Sequence, residues 1–163
     1  MSRSMTERMM GAARLDIEVF EEVEHDETAT VRAAGVVAIV AGCMALATTG
    51  AGPIGMISAA GAQLFGWVVW AGLTFFIGTR LFGGTATWGE LLRTLGFAQA
   101  PGVLALIAIV PLVGWMILPV VGIWMLVAGV IAVRQALDVD TGKAIFTVAI
   151  GWVIMVIVQG ILR

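Results

Sequence analysis

The sequence predicts an all-α fold: a polytopic membrane helix bundle of five transmembrane helices, with short amphipathic helices on the cytoplasmic side. Three observations carry this. Hydrophobic residues make up 60% of the 163 residues and charged residues 12%, with a mean hydropathy of +1.03. Soluble domains run at about 45–50% apolar and about 25% charged. The charges are also missing in blocks: no Asp, Glu, Lys or Arg occurs from Ala33 to Thr79, from Thr94 to Val133, or from Ala144 to Leu162. A crossing takes about 20 apolar residues, so the first two blocks hold two spans each and the third holds one. Finally, Gly and Pro clusters fall where those blocks must be divided.

Residues 1–29 form an acidic amphipathic segment and residues 30–163 a membrane domain. The segment up to residue 30 carries three arginines and eight acids, and Met5, Met9, Ala12, Val19, Phe20 and Val23 recur at roughly helical spacing. One or two helices result. Their acidic second half, from Glu18 to Glu27, would be repelled by anionic lipid, because lipid-surface helices carry Lys or Arg on the polar face. Packing against the protein's own cytoplasmic loops is therefore favoured over docking a partner or facing solvent.

The first span runs near 30–49 and the second near 58–78, separated by Gly50, Gly52, Pro53 and Gly55. Gly83-Gly84 ends the second helix in a turn with positive φ. Thr87 and Glu90 have capping-box spacing, and Trp88, Leu91, Leu92 and Leu95 follow at i, i+3, i+4 and i+7. These predict a short helix over about 88–100, lying at the membrane surface with Trp88 in the interfacial belt. A break follows at Ala100-Pro101. Pro111 and Gly114 then divide spans near 99–112 and 116–135, the third being short enough that a re-entrant helix and four true spans is the competing reading. Asp140 or Thr141 caps a fifth span near 143–162.

Orientation favours five spans. Arg3, Arg8, Arg14, Arg32, Arg80, Arg93, Arg134 and Lys143 then share one side and Arg163 alone faces the other. The positive-inside rule places the N-terminus in the cytoplasm and the C-terminus outside. The first apolar run follows an acidic segment, the wrong order for a secretory signal.

Chemistry is scarce. No ionisable group lies within the charge-free cores of the spans, which argues against a proton relay, an ion-coupled transporter or an intramembrane protease. Nine basic residues against eleven acids leave no footprint for nucleic acid. His25 sits among Glu21, Glu22, Glu24, Asp26 and Glu27 without EF-hand spacing, so a solvated acidic face outweighs a metal site. Cys43 has no base near it in sequence, and no phosphate-binding loop is present. Catalytic, cofactor and metal residues are accordingly none. Gln63 and Gln159 are placed to bond across helices. Small residues at Gly35, Ala38, Gly42 and Ala45, at Ala62, Gly66 and Gly72, and at Gly122 and Gly129 predict close helix approach, either in a monomeric bundle or in a homo- or hetero-oligomer.

Phe82-Gly83-Gly84, Leu91-Leu92, Gly96-Phe97-Ala98 and Pro101, then Trp124, Arg134-Gln135-Ala136-Leu137 and Thr141-Gly142-Lys143-Ala144, resemble the pattern of the Yip family of Ypt/Rab-interacting membrane proteins, here a prokaryotic-type member. The resemblance covers about 30–163. It implies a five-span domain with the N-terminus inside and marks Phe82, Gly83, Gly84, Leu91, Gly96, Pro101, Lys143 and Ala144 as motif positions. Eukaryotic relatives act in vesicle traffic, bind Rab-type GTPases and each other, and typically carry a longer cytosolic arm than the acidic one of about 30 residues here. The family brings no catalytic residues.

Two functions follow as expectations. The first is a non-enzymatic scaffold in a bacterial cytoplasmic membrane, with the lipid bilayer and a protein docked on its cytoplasmic loops as partners. The second is a small-solute or lipid transport component, motivated by the Gly/Pro-interrupted segment 101–119. A filled interior between the second, third and fifth spans would favour the first. A lateral opening lined by Gln63 or Gln159 would favour the second.

Overall fold

The computed structural model describes residues 3–49, 52–110 and 112–161. Among them the chain forms seven α-helices and one 3-10 helix: α1 (Met5–Ala13), α2 (Ile17–His25), α3 (Ala29–Thr49), α4 (Pro53–Leu81), α5 (Trp88–Phe97), the 3-10 helix (Ala100–Ile109), α6 (Gly114–Leu137) and α7 (Thr141–Ile161). Four stretches are long and apolar enough to cross a bilayer: Ala29–Ala47, Pro53–Leu81, Trp88–Ile109 and Gly114–Leu137. A shorter apolar helix, Thr141–Ile154, lies within α7.

Local chemistry explains the helix ends. Ser4 and Glu7 form a capping box on α1, the serine oxygen accepting from Glu7 N–H and Ser4 N–H donating to the Glu7 carboxylate at 2.7 Å. Asp16 caps α2 by accepting from Glu18 N–H. Between them Leu15 turns with φ +63°, and Gly11 lets the two helices close, because a Cβ there would lie 2.4 Å from Val19 Cγ2. The predicted second span begins five residues early, at Pro53. A proline at the first helical position lacks only an N–H that would be unpaired anyway, so it starts this helix and does not interrupt it. Gly83 has φ +71° and ends α4 as its sequence suggests. Asp140 holds the start of α7 through the N–H of Lys143 at 3.0 Å.

The third span differs from its prediction. The expected short helix is present as α5, and with the 3-10 helix after it makes an apolar stretch, Trp88–Ile109, of spanning length. Its capping box of Thr87 and Glu90 is present, but Leu91, Arg93, Thr94, Leu95, Gly96 and Phe97 are all buried. The break falls at Ala98–Gln99, between the end of α5 and the ten residues of 3-10 helix, with Pro101 in the first turn of the latter. A 3-10 helix rises ~2.0 Å per residue against ~1.5 Å in an α-helix, so the two halves together reach roughly 35 Å. The hydrocarbon core is about 30 Å. The segment that looked too short to cross is therefore long enough.

The core lies where α1 and α2 meet the bundle. Ala12, Val19, Phe20 and Val23 from the N-terminal hairpin join Val36, Val37 and Val40 of α3, Leu91 and Phe97 of α5, and Val133 and Leu137 of α6. Glycines mark the tightest approaches. A Cβ on Gly96 would sit 2.7 Å from Ala33 Cβ, and one on Gly84 2.7 Å from Leu137 Cδ2 and 3.0 Å from the Leu137 carbonyl. Toward the opposite end, Ile54, Ile57, Leu112 and Trp115 are exposed, as side chains facing lipid would be.

Gly96→Ala is expected to destabilise the protein by about 1–3 kcal/mol, because the added methyl has nowhere to go. Gly72→Ala, where nothing lies within 4 Å, is expected to be neutral or to stabilise by about 0.5–1 kcal/mol through helix propensity. Reversible unfolding in mixed micelles measures both, and equal effects would contradict the packing described.

Candidate functional site

Two features of the fold could do chemistry or recognition: the hairpin at the charged end and a groove between the long helices. In the hairpin, Arg8 falls on the apolar stripe of α1, three residues after Met5 and four before Ala12. It is 1% exposed. Its Nε and Nη2 donate to Glu22 Oε1 at 3.1 and 2.8 Å. Its Nη1 lies 2.7 Å from Asp26 Oδ2, an ion pair in which the N–H direction misses hydrogen-bond alignment. Arg3 adds a second contact to Glu22 at 2.8 Å. Burial pushes the Glu22 carboxyl up, but the bonds from Arg8 and Arg3 outweigh it and hold the group below its ordinary value. The Thr28 hydroxyl and then Arg8 hold Asp26 down to about 2.

Three later residues clamp this hairpin to the bundle. Arg93 of α5, 7% exposed, donates to the carbonyls of Val23 and Glu24, which end α2 and lack helical partners. Gly89 leaves room for it, since a Cβ there would stand 3.0 Å from Arg93 Nη1. Trp124 Nε1 of α6 donates to Ala13 O, the last carbonyl of α1, at 2.8 Å. Gln135 Nε2 donates to Glu21 Oε1 at 2.9 Å. The amphipathic helices thus pack on the protein itself, as their acidity suggests. Glu18, Glu21 and Glu27 remain exposed. His25 Nδ1 lies 2.8 Å from the Glu21 carbonyl, and no metal-holding group of His, Cys, Asp or Glu occurs among the described residues.

The groove arises because α5 wedges between α4 and α6, which scarcely meet each other. Trp67 Nε1 of α4 donates to Leu92 O of α5 at 3.0 Å, and Trp70 packs against Gly151 of α7. The space left is about 680 Å³, lined chiefly by apolar residues of α4, α5, α6 and α7. Its polar feature is a cross-helix bond from Gln63 Nε2 to Gln99 Oε1 at 3.0 Å. Gln63 therefore bonds across helices as expected, while the side chain of Gln159 lies outside the described residues. Gly66, Gly122 and Gly129 depart from their prediction. They do not bring helices together, since a Cβ on any of them would meet nothing within 4 Å, and all three line the groove. Gly35 and Gly42 of the first-span stripe do pack, against Met5 and Met56 of the same chain.

The family model described as the Yip1 domain matches residues 18–162, from the start of α2 to the end of α7. The chain belongs to the Yip1 domain family. It is a multi-pass integral membrane protein of a family whose members are generally non-catalytic. No curated protein and no solved structure matches this chain. Within this Yip1 domain, Phe82 ends α4, Gly83 and Gly84 make the turn under Leu137, and Leu91, Gly96 and Pro101 are buried along the third stretch. Ala144 is buried, and Lys143 Nζ reaches Asp140 at 4.0 Å. Sequence reasoning missed Arg8 and Arg93. Arg8 had a readable signal, a charge at i+3 on an apolar stripe. Arg93 had only the glycine four residues before it.

Glu24 makes the clamp sensitive to pH. Burial pushes its carboxyl up from an ordinary 4.5 to about 7; His25 opposes this, while Glu90, Asp138 and Glu21 add to it. The unfolded chain releases that proton near 4.5 and the folded chain near 7, so in this window the folded state binds more protons. Stability therefore falls as pH rises through it. Hydrogen exchange of α2, corrected for intrinsic rates, is expected to speed up several-fold between about pH 5.5 and about pH 8. Glu24→Gln should flatten the dependence; an unchanged profile in that variant would assign the effect elsewhere.

Proposed function

We propose that this Yip1-domain protein is a non-enzymatic membrane scaffold that presents its N-terminal hairpin as a rigid docking platform. The observation that carries the reading is the clamp. Arg93, Trp124 and Gln135 spend their donors on the hairpin, and Arg3 and Arg8 spend their charge within it. What remains outward is more acidic than basic, Glu18, Glu21 and Glu27 against Arg14, and suits a basic protein surface. Eight of the nine basic residues fall on the hairpin's side if the chain crosses five times, which supports a cytoplasmic N-terminus and an external C-terminus in a bacterial cytoplasmic membrane. Phe82, Gly83, Gly84, Leu91, Gly96, Pro101, Lys143 and Ala144 then serve as positions that set helix ends and approaches, with no part in chemistry.

Crosslinking in native membranes followed by affinity capture tests this. A discrete partner is expected, and Arg93→Ala, which removes one of the three clamps and loosens the hairpin but leaves the spans inserted, should cut its recovery by at least about tenfold, or ~1.4 kcal/mol. Repeated recovery of the bare chain would sink the proposal. The groove favours a second reading, a small-solute or lipid transport component. Proteoliposomes with no flux above empty controls would remove it.

A further inference from the structure

We propose that the turn of the N-terminal hairpin, Met10 to Ile17, rests in the headgroup layer of the bilayer, with Met10 and Ile17 against acyl chains and Arg14 on a lipid phosphate. The bilayer surface on this side of the bundle then lies near Trp124, well short of the charged ends of α6 and α7. The inference stands apart from the docking of a protein partner, since Glu21 and Glu27 lie away from the turn and stay exposed.

Counting along the helices places the turn. Trp124 Nε1 donates to Ala13 O at 2.8 Å, and Trp124 stands ten residues from Arg134 toward the far end of α6. At ~1.5 Å per residue that is about 15 Å, half of a hydrocarbon core of about 30 Å. Two further contacts agree. Met5 Cε lies 3.4 Å from where a Cβ on Gly35 would stand, six residues into α3. The helix α1 also packs on the 3-10 helix, which begins only after α5 has ended. It therefore lies across the third stretch, between α3 and α6, at a level within the spans and not over their ends.

The faces of the bundle differ at this level. Away from the hairpin, Phe76 and Leu81 of α4 and Ile145 and Phe146 of α7 are exposed within about a turn of Arg80 and Lys143, so hydrocarbon reaches the charged end there. On the hairpin face Glu7, Glu18 and Glu21 are exposed, and carboxylates in hydrocarbon are expensive. Water and headgroups must come down to meet them. The descent stops at the turn, where Met10 and Ile17 are 48% and 42% exposed. One turn farther along the same face of α6 as Trp124, Val120 is exposed, as are Leu104 and Ile107 of the 3-10 helix, so the apolar surface continues from the turn into the span. Arg14 is exposed between Met10 and Ile17 and has no ion pair or side-chain hydrogen bond among the described residues. Asp16, the nearest acid in sequence, is spent on the N–H of Glu18. A guanidinium flanked by apolar side chains at a bilayer surface keeps its stem in the lipid and its head on phosphate. Tilt of the bundle or local thinning of the bilayer accommodates the offset between the faces.

The test is spin-label collision measurement on the full chain in vesicles of palmitoyl-oleoyl phosphatidylethanolamine and phosphatidylglycerol. Cys43→Ala removes the one native cysteine. Labels at Met10→Cys and Ile17→Cys are compared with Glu27→Cys as the aqueous reference and Phe65→Cys, exposed in mid-α4, as the hydrocarbon reference. The ratio of oxygen to nickel-chelate collisions is expected to fall between the two references at both turn positions, while Phe146→Cys reads as hydrocarbon. Arg14→Glu should lower the ratio at Ile17→Cys by about twofold or more, and Arg14→Lys should keep it. Circular dichroism confirms that each variant is folded. Turn labels that match Glu27→Cys, placing the hairpin in water, overturn the proposal. Turn labels that match Phe65→Cys, placing it in the core, overturn it as well. So does an aqueous reading at Phe146→Cys, or a ratio in Arg14→Glu equal to that of its parent.

Discussion

The arrangement depends on where one guanidinium spends its hydrogen bonds. Arg93 sits in the middle of α5 at the start of its buried run, Arg93 to Phe97, and an unpaired cation there would be driven out. It is retained because α2 ends beside it with carbonyls that no helical N–H can reach. Each side answers the other's deficit. With Arg93 satisfied, α5 can sink between α4 and α6. With α5 in place, α2 has an apolar wall for Val19, Phe20 and Val23, and the hairpin becomes part of the core.

That same insertion governs the groove. Helices rich in glycine normally close on one another in a membrane, where association rests on packing and not on a hydrophobic drive. In this protein α5 keeps α4 and α6 apart, so their glycines do the opposite and leave backbone open to the surroundings. Glycine thus has two uses in one bundle. At Gly84 and Gly96 it removes a side chain to admit a neighbour; at Gly66, Gly122 and Gly129 it removes one and nothing enters.

Much of this was legible in the sequence, for identifiable reasons. Charge-free blocks reveal apolar helices because a charge in hydrocarbon is expensive wherever it occurs, so α3, α6 and α7 match their predicted limits within two residues. Capping at Thr87 and the turn at Gly83 depend on neighbours in sequence and were equally readable. The fate of residues 88–109 was not. Arg93 looks like a solvated charge on its own, and only the remote carbonyls of Val23 and Glu24 explain its burial. The 3-10 geometry, which gives the third stretch its length, is likewise not written in a run of apolar residues. The groove follows from both and was beyond a one-dimensional reading, although Gln63 pointed to it.

The clamp also fixes an order of events during synthesis. The hairpin's internal ion pairs need only nearby chain, since Arg8 meets Glu22 and Asp26. Its anchors come much later: Arg93 in the third long stretch, Trp124 and Gln135 in the fourth. The hairpin is therefore made before the helices that seat it, and until α6 is inserted Val19, Phe20 and Val23 have no complete wall to cover them.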